Sequence, residues 1–230
     1  MNDDGSDPVR LTQHSGDDRY PGWHPSREQV VFQSNRDSLP ELYLLSLSSK
    51  DVQRLTNSPE EELVADFSPD GSRIAFFSNQ NDNLDIFILT IEDGSIRQIT
   101  DNPFRDVWPR WSPDGKKILF FSRRDTNGEE DELYTMNPDG SGVKRITHHK
   151  GHDFCPAWSR NGKWIASAVI DETEGRGIGI FDLEGNLKKV IGKNGFRVTT
   201  PSWSADGTKI AYAYATKEGD VYDIYVETTK

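Results

Sequence analysis

The sequence predicts an all-β propeller of five four-stranded antiparallel blades, and three observations carry that prediction. A pentapeptide recurs. It reads Trp111-Ser112-Pro113-Asp114-Gly115, with copies at Phe67-Ser68-Pro69-Asp70-Gly71, Trp158-Ser159-Arg160-Asn161-Gly162 and Trp203-Ser204-Ala205-Asp206-Gly207, and a worn copy at Trp23-His24-Pro25-Ser26-Arg27. The aromatic anchors stand at 23, 67, 111, 158 and 203, giving steps of 44, 44, 47 and 45 residues, a period of blade size. Short strand-like runs fill each step, and the repeat crosses residues 1–230 without a break in composition, so one domain is expected.

Each repeat divides into four short strands. A three-residue stub such as Pro109-Arg110-Trp111 leads into the turn. In that turn Pro presets φ, Asp bonds the local backbone and Gly takes the left-handed conformation. An apolar second strand follows, as in Ile74 to Phe77 or Ile118 to Phe121, and its unbroken apolar run implies burial on both faces. A variable polar loop comes next, for example Asn79 to Asn83. The third strand alternates, as in Leu42 to Leu47 or Ile86 to Ile91. A short fourth strand ends Arg54-Leu55-Thr56, Gln98-Ile99-Thr100 or Arg145-Ile146-Thr147.

The last repeat stops after its third strand, while Met1 to Thr12 aligns without a gap to Met136 to Thr147. The N-terminal segment is therefore expected to complete the C-terminal blade as its fourth strand. Such closure hides sheet edges that would otherwise pair with other chains.

Lys and Arg number 27 against 38 Asp and Glu, a formal charge of -11. That balance repels phosphate backbones, so nucleic acid is a poor partner, and like charge keeps such a surface soluble. No apolar run approaches the ~20 residues that span a bilayer, so membrane insertion is not expected. The acidic Met1-Asn2-Asp3-Asp4-Gly5 lacks the basic and apolar character of a signal peptide. The expected location is cytoplasmic, or periplasmic or extracellular if a targeting segment has been removed. Cys155 is the single cysteine and reads as a small buried thiol.

The aromatic-SPDG turn, with RLT or RIT closing each unit, resembles the WD-repeat-like propellers of the TolB type. The likeness covers essentially the whole chain. It implies the fold directly, and it implies binding, scaffolding or gating roles. TolB-type propellers usually have six or seven blades. Five repeats here imply either a small closed form or part of a longer propeller cut in phase.

Candidate site residues fall on the face that carries the fourth-to-first and second-to-third strand loops. Five residues before each anchor stands an acid: Asp18, Glu62, Asp106 and Asp153, with Val198 in the fifth copy and Arg197 beside it. These carboxylates read either as a cation site or docking rim for a basic ligand, or as caps on their own loops. His148, His149 and His152 lie within five residues of one another and read as ligands for a divalent metal or as a solvated polar loop. Some polysaccharide-lyase propellers of related type hold a metal on face histidines, but draw them from several blades. Tyr20, Phe104, Trp108, Phe154 and Phe196 lie in or beside the same loops and suggest a stacking platform or blade packing. Asp66 and Arg110 share a stub position in adjacent blades and are expected to face each other.

No HExxH, GxSxG or Walker motif is present. The sequence thus favours a non-catalytic, monomeric binding or scaffold propeller that recognises a protein or peptide, with no cofactor beyond a divalent cation. The alternative is a carbohydrate-active lyase or hydrolase with a metal on the propeller face.

Overall fold

The computed structural model describes residues 6–171, 175–192, 197–217 and 221–229. They form five antiparallel blades and one 3-10 turn, Gln80–Asp82. The first blade holds β1 (Asp18–Trp23), β2 (Gln29–Ser34), β3 (Glu41–Ser46) and β4 (Val52–Arg54). The second holds β5 (Glu62–Phe67), β6 (Arg73–Ser78), β7 (Asp85–Thr90) and β8 (Ile96–Gln98). The third holds β9 (Asp106–Trp111), β10 (Ile118–Ser122), β11 (Glu132–Met136) and β12 (Lys144–Arg145). The fourth holds β13 (Gly151–Trp158), β14 (Ile165–Asp171), β15 (Gly175–Phe181) and β16 (Leu187–Ile191). The fifth holds β17 (Arg197–Trp203), β18 (Lys209–Ala215) and β19 (Asp223–Thr228).

The middle strands are the cores of the blades. Ile74, Phe76, Ile86, Ile118, Leu119, Phe120, Leu133 and Tyr134 are all fully buried, because the second and third blades, which carry them, are each sandwiched between neighbours. The repeated turn works as its composition demands. Ser68 Oγ donates to Asp70 Oδ1 and accepts from the Arg73 N–H, while Asp70 accepts from the Ser72 N–H and Gly71 takes φ 72°. Ser112/Asp114, Ser159/Asn161 and Ser204/Asp206 repeat the arrangement. In the worn copy, His24 Nδ1 accepts from the Ser26 and Arg27 N–H groups instead.

Two features depart from the sequence reading. The first strands are six to eight residues long, not three-residue stubs. Each contains a bulge, and three residues before every anchor sits a residue with positive φ: Tyr20 (52°), Val64 (48°), Trp108 (61°), Cys155 (52°) and Thr200 (51°). The bulge re-aims the strand so that residues on either side of it serve different neighbours.

The second concerns closure. Four blades have four strands, but the fifth has three among the described residues. Residues 6–12 form no strand and are mostly exposed, and residues 1–5 lie outside the described residues. The expected pairing of the N-terminal segment with β19 is therefore not formed by the described part of that segment. The ends of the row show it: Trp23 is 67% exposed, whereas Phe67 and Trp111 are 7% and 5% exposed. The five anchors are consequently not equivalent among the described residues, where no blade packs on Trp23 from the preceding side.

Candidate functional site

The strand-one acids do not form an open rim. Glu62, Asp106 and Asp153 are fully buried; only Asp18 keeps partial exposure, and it pairs with Arg36 at 3.0 Å. Pairing across the strands explains the burial. Asp18 lies opposite Ser34, which lies opposite Glu41; the next rows are Glu62–Ser78–Asp85 and Asp106–Ser122–Glu132. The acid opening the third strand of one blade thus meets the first-strand acid of the next. Glu41 and Glu62 share a hydrogen bond, Asp106 raises the carboxyl of Asp85, and Asp153 raises that of Glu132.

The fourth strands supply the partners. Arg54 Nη2 donates to Glu41 and Arg145 Nη2 donates to Glu132 at 2.9 Å, with Gln98 taking that place on Asp85 at 3.1 Å. The Thr that ends Arg54-Leu55-Thr56, Gln98-Ile99-Thr100 and Arg145-Ile146-Thr147 accepts the N–H of the residue after the acid: Leu42 to Thr56, Ile86 to Thr100 and Leu133 to Thr147, each at 2.9 Å. Arg124 pairs with Asp106 at 2.6 Å, and Ser58, Ser78 and Gln80 donate to Glu62.

Burial drives the ionisation of these groups. It pushes Glu62 up to about 7, reinforced by Glu41. Burial also raises Glu132 and Asp85. For Asp18 the same push is outweighed by hydrogen bonds from Ser34, Thr12 and Arg36, which hold it low.

The histidines go separate ways. His149 Nε2 bonds Asp153 at 2.9 Å and its ring stacks on Phe181; that bond raises its pKa to about 9. His148 meets the Ile146 carbonyl and His152 meets Asp131, each at 3.2 Å. Among the described residues no group of three His, Cys, Asp or Glu side chains is placed to hold a metal ion. Tyr20 and Trp108, both on the bulge, meet edge to face at 5.4 Å. They are packing residues, while Phe196 lies outside the described residues. Cys155 is buried, and burial raises its thiol. Asp66 and Arg110 do face each other, at 3.7 Å, and Asp66 also accepts the Trp111 N–H.

Two clefts coincide with departures from this polar repeat. At the fourth–fifth junction the meeting acids are replaced by Gly177 and Val198. A cleft of about 320 Å³ opens there, lined by Phe154, Val169, Val198 and Tyr222, with Arg176 and Arg197 at its walls. At the second–third junction, where Gln98 replaces arginine, a polar cleft of about 460 Å³ is lined by Asn81, Asn83, Asp85, Asp101 and Asn102. The third-strand acids Glu41, Asp85 and Glu132 escaped the sequence reading. Their signal was an acid opening each of those strands, fifteen residues before the Thr.

A single polar row threading repeated blades, broken at one junction, defines a propeller whose loop face is organised by interblade carboxylates. The chain belongs to the TolB beta propeller domain family, whose model matches residues 57–230. TolB from Acinetobacter baumannii is 24% identical with a TM-score of 0.80; the match covers 99% of this chain and 55% of that one. This chain thus spans about half the length of that relative. A protein described as putative TolB from Agrobacterium tumefaciens is 21% identical over 95% of this chain and 79% of its own, with a TM-score of 0.81. Oligogalacturonate lyase from Vibrio parahaemolyticus is 15% identical over 96% of this chain and 65% of its own, with a TM-score of 0.66. At these identities the likeness speaks to fold. No curated protein matches the sequence.

Proposed function

We propose that this propeller is a non-catalytic binding module that recognises a protein or peptide segment on its loop face, in the cleft between the fourth and fifth blades. The observation that carries the reading is the replacement of a buried acid pair by Gly177 and Val198, which leaves an apolar cleft walled by two arginines. Ligand sites are mostly apolar concavities with a few placed polar groups, and variable loops on a rigid scaffold are where recognition sits. An aromatic or aliphatic side chain next to a carboxylate suits Phe154, Val198 and Tyr222 beside Arg176 and Arg197. Family membership supports the binding role.

The test is selection of a displayed peptide library on the wild-type chain, Val198→Trp, which fills the cleft, and Arg197→Glu. Enrichment of peptides with an apolar residue beside an acid, lost in both variants, is expected. Equal enrichment on all three proteins would reject the site. A thermal shift with divalent metals run alongside examines the alternative of a carbohydrate-active enzyme, because a ligand bound only by the folded state raises the midpoint.

A further inference from the structure

We propose that the polar cleft between the second and third blades is a guanidinium site, in which a ligand supplies the cation that a fourth-strand arginine supplies at the neighbouring junctions. Two junctions carry that cation in the chain itself. At the first–second junction Arg54 Nη2 donates to the buried acid Glu41, and at the third–fourth junction Arg145 Nη2 donates to the buried Glu132 at 2.9 Å. At the second–third junction the acid is Asp85, only 3% exposed, and the fourth-strand residue that meets it is Gln98. Aspartate is shorter than glutamate, and glutamine is shorter than arginine. The space that a Glu–Arg pair fills elsewhere is left open here, as the cleft of about 460 Å³.

The cleft is short of positive charge. Among the described residues no cation pairs with Asp85. Its partners are neutral: the Thr100 hydroxyl at 2.9 Å, Gln98 Nε2 at 3.1 Å and Asn83 Nδ2 at 3.3 Å. The nearby arginines are held elsewhere, Arg124 by Asp106 at 2.6 Å, Arg105 by Asp131 at 2.7 Å and Arg97 by the Pro138 carbonyl at 3.0 Å. Asp101 stands exposed in the cleft wall and makes no ion pair among the described residues. Burial raises the Asp85 carboxyl, and the charges of Asp106 and Asp101 push it the same way. A bound cation opposes all three effects.

The amides of the wall are oriented as acceptors. Asn83 Nδ2 donates to the Asn102 carbonyl at 2.7 Å as well as to Asp85, and only the nitrogen end of an amide can do so. Its Oδ1 is thereby turned the other way and accepts no hydrogen bond among the described residues. Gln98 is fixed in the same manner, because its Nε2 donates to Asp85 and to the Thr100 carbonyl at 2.9 Å. Its Oε1 then takes Asn81 Nδ2 at 3.4 Å, which turns Asn81 Oδ1 away from Gln98. Asn81, Asn83, Asp85 and Asp101 line one cavity, and the amide donors among them are taken up by the chain.

Fixed acceptors around two carboxylates call for a cation with several donors. A guanidinium offers five N–H groups in a plane and no acceptor, and it is the group that the other two junctions use. A metal ion needs a tighter set: among the described residues no group of three His, Cys, Asp or Glu side chains is placed to hold one. The volume is that of a ligand site rather than of a single ion. The site shares the loop face with the fourth–fifth cleft but none of its residues. Either cleft can therefore bind without the other.

The experiment follows the side-chain amide NMR signals of Asn81, Asn83 and Gln98 in the full chain. It is titrated with Nα-acetyl-arginine amide, its neutral isostere Nα-acetyl-citrulline amide, calcium chloride, and the peptide Gly-Gly-Arg-Gly-Gly. Saturable shifts are expected with the arginine compound, at an affinity about tenfold or more above citrulline, the size of a hydrogen bond to a charged group. Tighter binding of the peptide than of the blocked amino acid assigns the guanidinium to a peptide or protein ligand, and equal binding assigns it to a small molecule. Gln98→Arg restores the arginine of the other junctions and should abolish the shifts of Asn81 and Asn83 while melting no lower than wild type. Should it melt lower, the arginine–citrulline comparison on the wild type decides by itself. Asp101→Asn, at an exposed position, should weaken binding about two- to fivefold, as for an exposed charge pair. The absence of a saturable shift with arginine, citrulline binding as tightly as arginine, calcium alone shifting the signals, or a folded Gln98→Arg that binds arginine as wild type does would overturn the site.

Discussion

Replacing Glu62 by glutamine should change stability in opposite senses at two pH values. Glu62 and Glu41 are both buried and share a hydrogen bond, which requires a proton between them. Burial and the neighbouring Glu41 raise Glu62 from 4.5 to about 7. A carboxyl with a raised folded pKa holds its proton in the folded state after the unfolded chain has lost it. Its cost is absent below about pH 4.5, grows as pH rises, and is fully present above about pH 7. A shift of that size corresponds to at most about 3 kcal/mol. The amide of Glu62→Gln would be neutral at every pH and has an N–H to offer Glu41. The variant should match or fall slightly below wild type at pH 5 and exceed it by about 1–3 kcal/mol at pH 8, a rise of about 2–12 °C in melting temperature for a chain of this size. Urea unfolding and thermal melts at both pH values measure it. A variant equally destabilised at pH 5 and pH 8 would show that no proton is shared, and the interblade pair would need another account.

Three further outcomes follow from the packing. Trp111→Ala should cost about 3–5 kcal/mol, as for a buried aromatic, but Trp23→Ala less than about 1 kcal/mol in dilute solution because its ring is exposed; equal costs in denaturant unfolding would contradict the open end. Thr200→Asn should raise stability by up to about 1 kcal/mol, since a β-branched residue at positive φ is strained where Asn is tolerated, and a lower melting temperature would mean the bulge is not strained. His149 has its pKa raised from 6.5 to about 9 by Asp153, so its stabilisation is full below pH 6.5 and lost as pH rises through 9. His149→Gln should therefore destabilise clearly at pH 6 and little at pH 9.5, and an NMR titration of His149 with its midpoint near 6.5 would refute the pairing.

The sequence alone determined the repeat, the blade count and the turn chemistry, because each rests on interactions within a few residues. Ser68, Asp70 and Gly71 need only one another to build their turn. The sequence also paired Asp66 with Arg110, since equal repeat positions face each other in neighbouring blades. It saw the acids at 18, 62, 106 and 153 but read them as a rim or as caps on their own loops. The acids that Glu62, Asp106 and Asp153 meet, Glu41, Asp85 and Glu132, come from the preceding blade, so only packing between blades shows that these carboxylates meet and are buried. The positive φ at Tyr20, Val64, Trp108, Cys155 and Thr200 was hidden for a related reason. Four of these five residues precede proline, which usually favours extended backbone, and the bulge is imposed by what the strand must meet on its two sides. The uncovered ends were hidden as well. The match of Met1–Thr12 to Met136–Thr147 led to an expected strand on the edge of β19, but residues 6–12 form no strand, and whether the segment reaches that edge depends on the angle between blades. That angle is set by the summed packing of all four junctions and is written in no single repeat.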